Sequence, residues 1–267
     1  MNSPNLNDRP LSYSSLMAFK RSPAHYMHYL TEPPKETPAL LFGRFFHCMI
    51  LQPEKLDKKY VSLPEVELTK NGQPTAEGKR IIIDFMNDVG HAKKMFIKRE
   101  DWKTAEQMKK AIDENKLAMA TMNKVGQTEK KVTFKTNGIP MISYIDGIGE
   151  DFLFELKTAS DAFPDRWYKD AYNYNYHIQA AIYQKAFAGK SGKFLPMRYI
   201  VIEKTAPFGI SVFTASSDYM DKGSYEFMKL TDEFKYCMDN NMFGMSYDFR
   251  TVGDTFTLEL PPWANKD

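Results

Sequence analysis

The sequence predicts an α/β fold, a mixed sheet flanked by helices with a helical N-terminal extension. Three observations predict it. Helical periodicity fills the first third of the chain, β-type alternation takes over from about Thr128, and a long helix, two strands and a final helix follow. The 267 residues, 43% of them hydrophobic, suffice for one large domain or two small ones with a sizeable core, which excludes a disordered tail protein.

Taken in order, Ser12 or Ser14 caps a first helix carrying Leu16, Met17 and Phe19. Ser22-Pro23 opens a second, with serine as the cap and proline at the first helical position. Pro33 to Pro38 reads as a rigid spacer. Ala39 to Leu51 is apolar on nearly every face, which predicts a buried helix with His47 inside it. After a polar stretch with Asn71-Gly72, Ile81 to Met86 and Trp102 to Met122 read as helical, the latter amphipathic and lysine-rich. Thr128 to Thr136, Pro140 to Ile148 and Phe152 to Thr158 form a three-stranded meander, turning at Asn137-Gly138 and near Gly149-Glu150. One long helix from about Asp165 to Ala188 is predicted next, then strands at Arg198 to Lys204 and Gly209 to Ala215, then a helix from Ser217 to about Met238. Residues 241–267 carry no strong pattern, and no repeat or flexible linker divides the chain.

Composition narrows the function. Thirty-six basic residues against 34 acidic leave a net charge of +2, so no global polycation coats nucleic acid and any such contact is a local patch. Between His91 and Lys135 there are twelve Lys/Arg and six Asp/Glu, a local excess of six. The longest apolar run is interrupted by Arg44 and His47 and falls short of the roughly 20 residues that span a bilayer, so no membrane association is predicted. The start of the chain lacks the basic and apolar regions of an export signal, which predicts a cytoplasmic location. Cys48 and Cys237, the only cysteines, support neither a disulfide framework nor a four-thiolate metal site.

Alternation from Phe152 to Lys157 puts Glu155 and Lys157 on one face of a strand, and the preceding turn brings Asp146 near Glu155. Two converging carboxylates repel unless neutralised, and a hard divalent cation such as Mg²⁺ does so with oxygen ligands, while a lysine there stabilises charge developing on a phosphate. Read alone, Glu-x-Lys is also ordinary solvated alternation, and Gln179 with Tyr183, spaced i,i+4, is also an ordinary helix surface. His47 alone is equally a hydrogen-bonded core histidine.

The full constellation resembles the PD-(D/E)XK nuclease superfamily: a helix, a meander carrying Asp146 and Glu155-Leu156-Lys157, a helix with Gln179-x3-Tyr183, then a strand. The N-terminal part, LSYSSLMAFKRSPAHYMHYL followed by PALLFGRFFHCMILQPEKLDKKYV, is similar to the RecE-type (exonuclease VIII) branch, with its "SPAHY" segment and "GxxxHxxxLxPExF" helix. The similarity runs from about Leu11 to Ala215. It implies a single nuclease domain, with residues 1–99 a mainly helical extension carrying His47, 100–240 an αβββαββα core and 241–267 a tail. It further implies that Asp146 and Glu155 are metal ligands together with the Leu156 carbonyl, His47 and Glu129, that Lys157 is the catalytic lysine, and that Gln179 and Tyr183 support it or contact DNA. Glu155 departs from the Asp commonest in this branch, although either carboxylate binds Mg²⁺.

By resemblance, then, the protein is expected to be a Mg²⁺-dependent exodeoxyribonuclease, with Mn²⁺ able to substitute. It would degrade linear double-stranded DNA from its ends, 5′→3′, to expose single strands for a RecT-like annealing protein in phage-type recombination. A homo-oligomeric ring enclosing DNA is also implied, with the C-terminal aromatics as a candidate interface. Arg44, Lys93, Lys94, Lys98, Arg99 and Lys103, followed by Lys109 and Lys110, are candidate phosphate contacts, a solvated helix face being the other reading. Arg44 is equally a candidate for a structural ion pair. An endonuclease with the same site, and a DNA-binding or assembly protein with an inactive one, remain as alternatives. A Zn²⁺ hydrolase built on His25 and His28 lacks a matching third ligand.

Overall fold

A computed structural model of the chain describes residues 9–91, 93–251, 255–261 and 264. The remainder of the segment expected at 241–267 lies outside the described residues. Two compact units are distinguished, one comprising residues 1–35, 133–142 and 224–267, the other 36–132 and 143–223.

In the first unit, α1 (Tyr13–Arg21) is capped by Ser12 in a box with Ser15, and α2 (Pro23–Thr31) by Ser22, whose side chain accepts from the His25 N–H. These caps fulfil the orphan donors of each first turn. Aromatic packing holds the unit: Phe19 meets Phe234 edge-on at 5.0 Å, and Tyr26 meets the same ring at 5.2 Å. Asn137 and Gly138 both have positive φ, as a two-residue hairpin turn requires.

The second unit contains α3 (Pro38–Leu51), α4 (Leu56–Lys59), β1 (Tyr60–Ser62), α5 (Ala76–Asn87), β2 (Met95–Ile97), α6 (Arg99–Glu114) and α7 (Lys116–Met122). Next come β3 (Val125–Thr136), β4 (Ile139–Gly149), β5 (Leu153–Ala159), α8 (Pro164–Asn173), α9 (Tyr176–Ser191), β6 (Met197–Glu203), β7 (Ile210–Thr214) and α10 (Ser217–Asp239). β3, β4 and α10 each extend beyond this unit.

Among the described residues the main sheet has the order β3-β4-β5-β6-β7. β5 runs antiparallel to β4 and parallel to β6, and β7 is antiparallel to β6. The parallel step needs a crossover, which α8 and α9 supply. One face of β5 and β6, with Phe152, Phe154, Leu156, Ile200 and Ile202, belongs to the core cluster that includes Phe45 and Phe46 of α3 and Met108 and Ile112 of α6. The other face of β5 is thereby left for Glu155 and Lys157, as strand alternation demands.

Three features differ from the sequence-based expectation. The run expected as one helix from Trp102 to Met122 is α6 and α7, parted at Asn115, whose side chain caps α7. The single helix expected from about Asp165 to Ala188 is two helices, because Asn175 adopts a left-handed conformation, φ 60°, between α8 and α9. Asparagine tolerates that region, so the break leaves no hydrophobic signature in the pattern. A second, two-stranded parallel sheet pairs β1 with β2; its three-residue strands are too short for alternation to reveal.

Candidate active site

Asp146 lies near the end of β4, beside Gly147, where a side chain would press within 3 Å of Val125 and Phe154. Glycine at 147 lets β4 approach its neighbours closely enough to bury Asp146. The carboxylate oxygen Oδ2 accepts the Leu156 backbone N–H at 3.0 Å, tying the end of β4 to the middle of β5. His47 of α3 brings Nδ1 to 3.3 Å from the same oxygen.

Glu155 is 2% exposed, and its Oε1 is the hub of a network. It accepts from Lys157 Nζ at 2.5 Å and from Gln179 Nε2 at 3.0 Å. Lys157 also donates to Gln179 Oε1 at 3.0 Å, and Gln179 Nε2 reaches the Tyr183 hydroxyl at 2.9 Å. One amide therefore clamps both charged groups, oriented in turn by a tyrosine one helical turn along α9. The other oxygen, Glu155 Oε2, is buried with no hydrogen-bond partner among the described residues.

Glu129 sits within β3 at φ 50°. That conformation is costly for a side chain outside glycine and asparagine, and residues held there cluster at functional sites. It aims the carboxylate inward: ligand atoms of His47, Glu129 and Asp146 all lie within 4.8 Å of one another. His47, Glu129, Lys157 and Tyr176 open onto a cavity of about 600 Å³ whose wall also carries Arg44 and Lys59.

The electrostatics are those of a site short of positive charge. Burial pushes Asp146 up to about 7, against the pull of Lys157 and the Leu156 N–H. Burial and the neighbouring Asp146 push Glu155 to about 7 as well. Burial raises Glu129 and lowers His47, the latter against attraction from Glu155 and a backbone hydrogen bond at Leu156. Burial alone would lower Lys157, but Glu155, Tyr176 and Asp146 outweigh it and hold the ammonium above its ordinary value. A buried acceptor with no donor, two carboxyls held partly protonated and an oxygen-rich donor set with one imidazole fit a hard divalent cation.

The sequence-predicted groups Glu155, Lys157, Gln179 and Tyr183 thus form one hydrogen-bonded network, Asp146 is tied to β5 through the Leu156 N–H, and His47 and Glu129 stand beside Asp146. Arg44 pairs with Glu36 and donates to Met95 Sδ at 3.4 Å. Lys93, Lys98 and Arg99 are exposed, Lys94 is half-buried, and Lys103 meets Glu65 at 3.6 Å. Lys109 and Lys110 are in i,i+4 pairs with Asp113 and Glu114. His25 is engaged at a helix cap, with Nδ1 2.6 Å from Ser22 Oγ. One contributor escaped the sequence reading: the Tyr176 ring lies 4.3 Å from Lys157 Nζ and is the third support of that ammonium. The signal that points to it is Asn175, whose left-handed turn starts α9 at Tyr176.

Residues 12–246 match the model of a family described as "PDDEXK-like domain of unknown function (DUF3799)". Among solved structures, the chain is similar to a Eubacterium rectale protein described as a "Putative exonuclease", with a TM-score of 0.57 and 15% identity over 97% of this chain and 94% of that one. No curated protein matches.

Proposed function

Since the chain belongs to the PDDEXK-like family of unknown function (DUF3799), we propose that it is a Mg²⁺-dependent deoxyribonuclease that degrades linear duplex DNA from its ends, 5′→3′. The observation that carries the proposal is the buried network in which Glu155 Oε1 and Gln179 Oε1 hold Lys157, while Glu155 Oε2 has no partner among the described residues.

Asp146, Glu129, His47 and Glu155 would hold the cation, with the Leu156 carbonyl as a further oxygen donor. When bound, a divalent cation polarises a phosphoryl oxygen and lowers the pKa of a water molecule. The chain's own residues do the rest. The Leu156 N–H fixes the Asp146 carboxylate, and Gln179 keeps Lys157 from swinging away from Glu155. Lys157, charged at neutral pH and 14% exposed, offers a preorganised ammonium to a phosphate in the cavity. Arg44, Lys93, Lys94, Lys98, Arg99 and Lys103 would add sequence-independent phosphate contacts. The end preference, the polarity, a ring-shaped homo-oligomer and a RecT-like annealing partner belong to the same proposal, supported by the resemblance to the RecE-type branch.

The test is digestion of linear duplex DNA labelled separately at its 5′ and 3′ ends, with Mg²⁺ or Mn²⁺, against closed circles and against Lys157→Ala. The expected result is early release of the 5′ label from linear DNA, intact circles and an inactive variant. Cutting of circles would make the protein an endonuclease. No metal-dependent hydrolysis of any substrate would leave a DNA-binding or assembly protein.

A further inference from the structure

Six of the fourteen residues from Phe163 to Tyr176 are aromatic, interleaved with Asp165, Arg166, Lys169, Asp170, Asn173 and Asn175, of which Arg166 pairs with Asp170 at 3.3 Å. In a soluble fold most such rings would be buried, yet Phe163, Tyr168, Tyr172 and Tyr174 are each more than half exposed. They are also held in place. Tyr172 stacks on His177 at 4.9 Å with planes 12° apart, which leaves its outer face free for a second flat partner. Tyr168 meets Phe213 edge-on at 5.9 Å.

Tyr168 and Tyr172 border a cavity of about 480 Å³, walled also by Trp167, Tyr199, Phe213 and Tyr219. Ring contacts link its wall to the catalytic network through Trp167 and Tyr176. Trp167 lies 5.8 Å from Tyr176, Tyr174 lies 5.7 Å from Tyr176, and the Tyr176 ring covers Lys157 Nζ at 4.3 Å. Tyr199 of the cavity wall donates its hydroxyl to the Tyr176 carbonyl at 3.4 Å. A row of rings with hydroxyl and amide edges, ending at an ammonium beside two carboxylates, matches an alternation of bases and phosphates better than an aliphatic helix.

We propose that Tyr168, Tyr172, Tyr174 and Tyr176 form a stacking track for unpaired nucleotides of a DNA strand, running from the aromatic cavity to Lys157. The occupant rests on the nucleic-acid reading of the site. Duplex DNA hides its base faces, so the track would select a frayed end or single-stranded product over paired substrate.

The test is equilibrium binding of a fluorescent 12-nucleotide oligothymidylate and of a blunt 20-base-pair duplex to the full chain in EDTA, where hydrolysis is suppressed. Tyr168→Ala/Tyr172→Ala should weaken oligothymidylate binding roughly tenfold or more, and Tyr168→Phe/Tyr172→Phe should restore it. Tyr174→Ala, at the exposed C-cap of α8, gives a second reading outside the body of the helix. Duplex affinity should change less than threefold, and the salt dependence of oligothymidylate binding should be unchanged, because stacking releases no counterions. Equal oligothymidylate affinity in wild type and both alanine variants would overturn the track. Metal-dependent hydrolysis by the wild type, measured separately, distinguishes that failure from failure of the nuclease reading.

Discussion

Strand β5 and helix α6 both carry charge, under opposite conditions. On β5, the Glu155 and Lys157 side chains are 3% and 14% exposed; on α6, those of Lys109 and Lys110 are 44% and 74% exposed. A buried charge persists only with a partner that offsets its desolvation, so every neighbour of Glu155 is under constraint. An exposed i,i+4 pair is worth only about 0.3–0.5 kcal/mol and constrains little. Three of the twelve basic side chains between His91 and Lys135, those of Lys103, Lys109 and Lys110, are paired with carboxylates. Charge density in a sequence is therefore weaker testimony to function than charge forced into a core.

The sharpest way to break this contrast is Lys157→Ala. It should lower the rate of metal-dependent hydrolysis about 10²–10⁴-fold, read as the initial rate on end-labelled linear duplex. A variant keeping most of its rate would remove the lysine from the chemistry. Gln179→Leu should cost less, roughly 10–100-fold in kcat, because it frees Glu155 and Lys157 without deleting either.

The buried carboxyls also set a pH dependence. Asp146 and Glu155 titrate near 7 when folded, above their ordinary values, so the folded protein keeps protons that the unfolded chain releases. Stability contributed by these groups is present below about 4, is lost as pH rises through about 7, and stays lost above it. Denaturant titrations of metal-free protein should therefore show a fall between those limits that Asp146→Asn/Glu155→Gln flattens. His47, lowered by burial, contributes the opposite slope, and losing the Glu155 charge that raises it adds to the flattening in the variant. Divalent metal should correspondingly stabilise the wild type more at pH 8 than at pH 5.

The smallest effect is expected on the exposed side of the contrast. Replacing Lys93, Lys98 and Arg99 together by Gln should weaken duplex binding a few-fold and reduce the slope of log affinity against log salt by at most about 3, with kcat unchanged. A collapse of kcat would mean that this surface positions substrate at the site rather than merely attracting it.

Much of the site was legible because it is local. Asp146, Glu155 and Lys157 lie on two strands joined by a tight turn, and period-two alternation plus a hairpin suffices to bring them together. Gln179 and Tyr183 were legible for the same reason on α9, one turn apart. The parallel β1–β2 pair was not, because its partners are over thirty residues apart and too short to show a period. The helix break at Asn175 was missed because an asparagine at positive φ interrupts the backbone without interrupting the apolar pattern.

By itself, the sequence determined the α/β order, the caps of the first helices and the convergence of two carboxylates with a lysine, since each depends on neighbours along the chain. Tertiary structure alone decided which charges are desolvated, that Arg44 is tied to Glu36, and that one oxygen of Glu155 has no partner among the described residues. It also placed the Tyr176 ring against Lys157, joining an aromatic cavity to the site. Burial and pairing depend on every element packed around a group, and no periodicity along one segment reports what a distant segment brings to it.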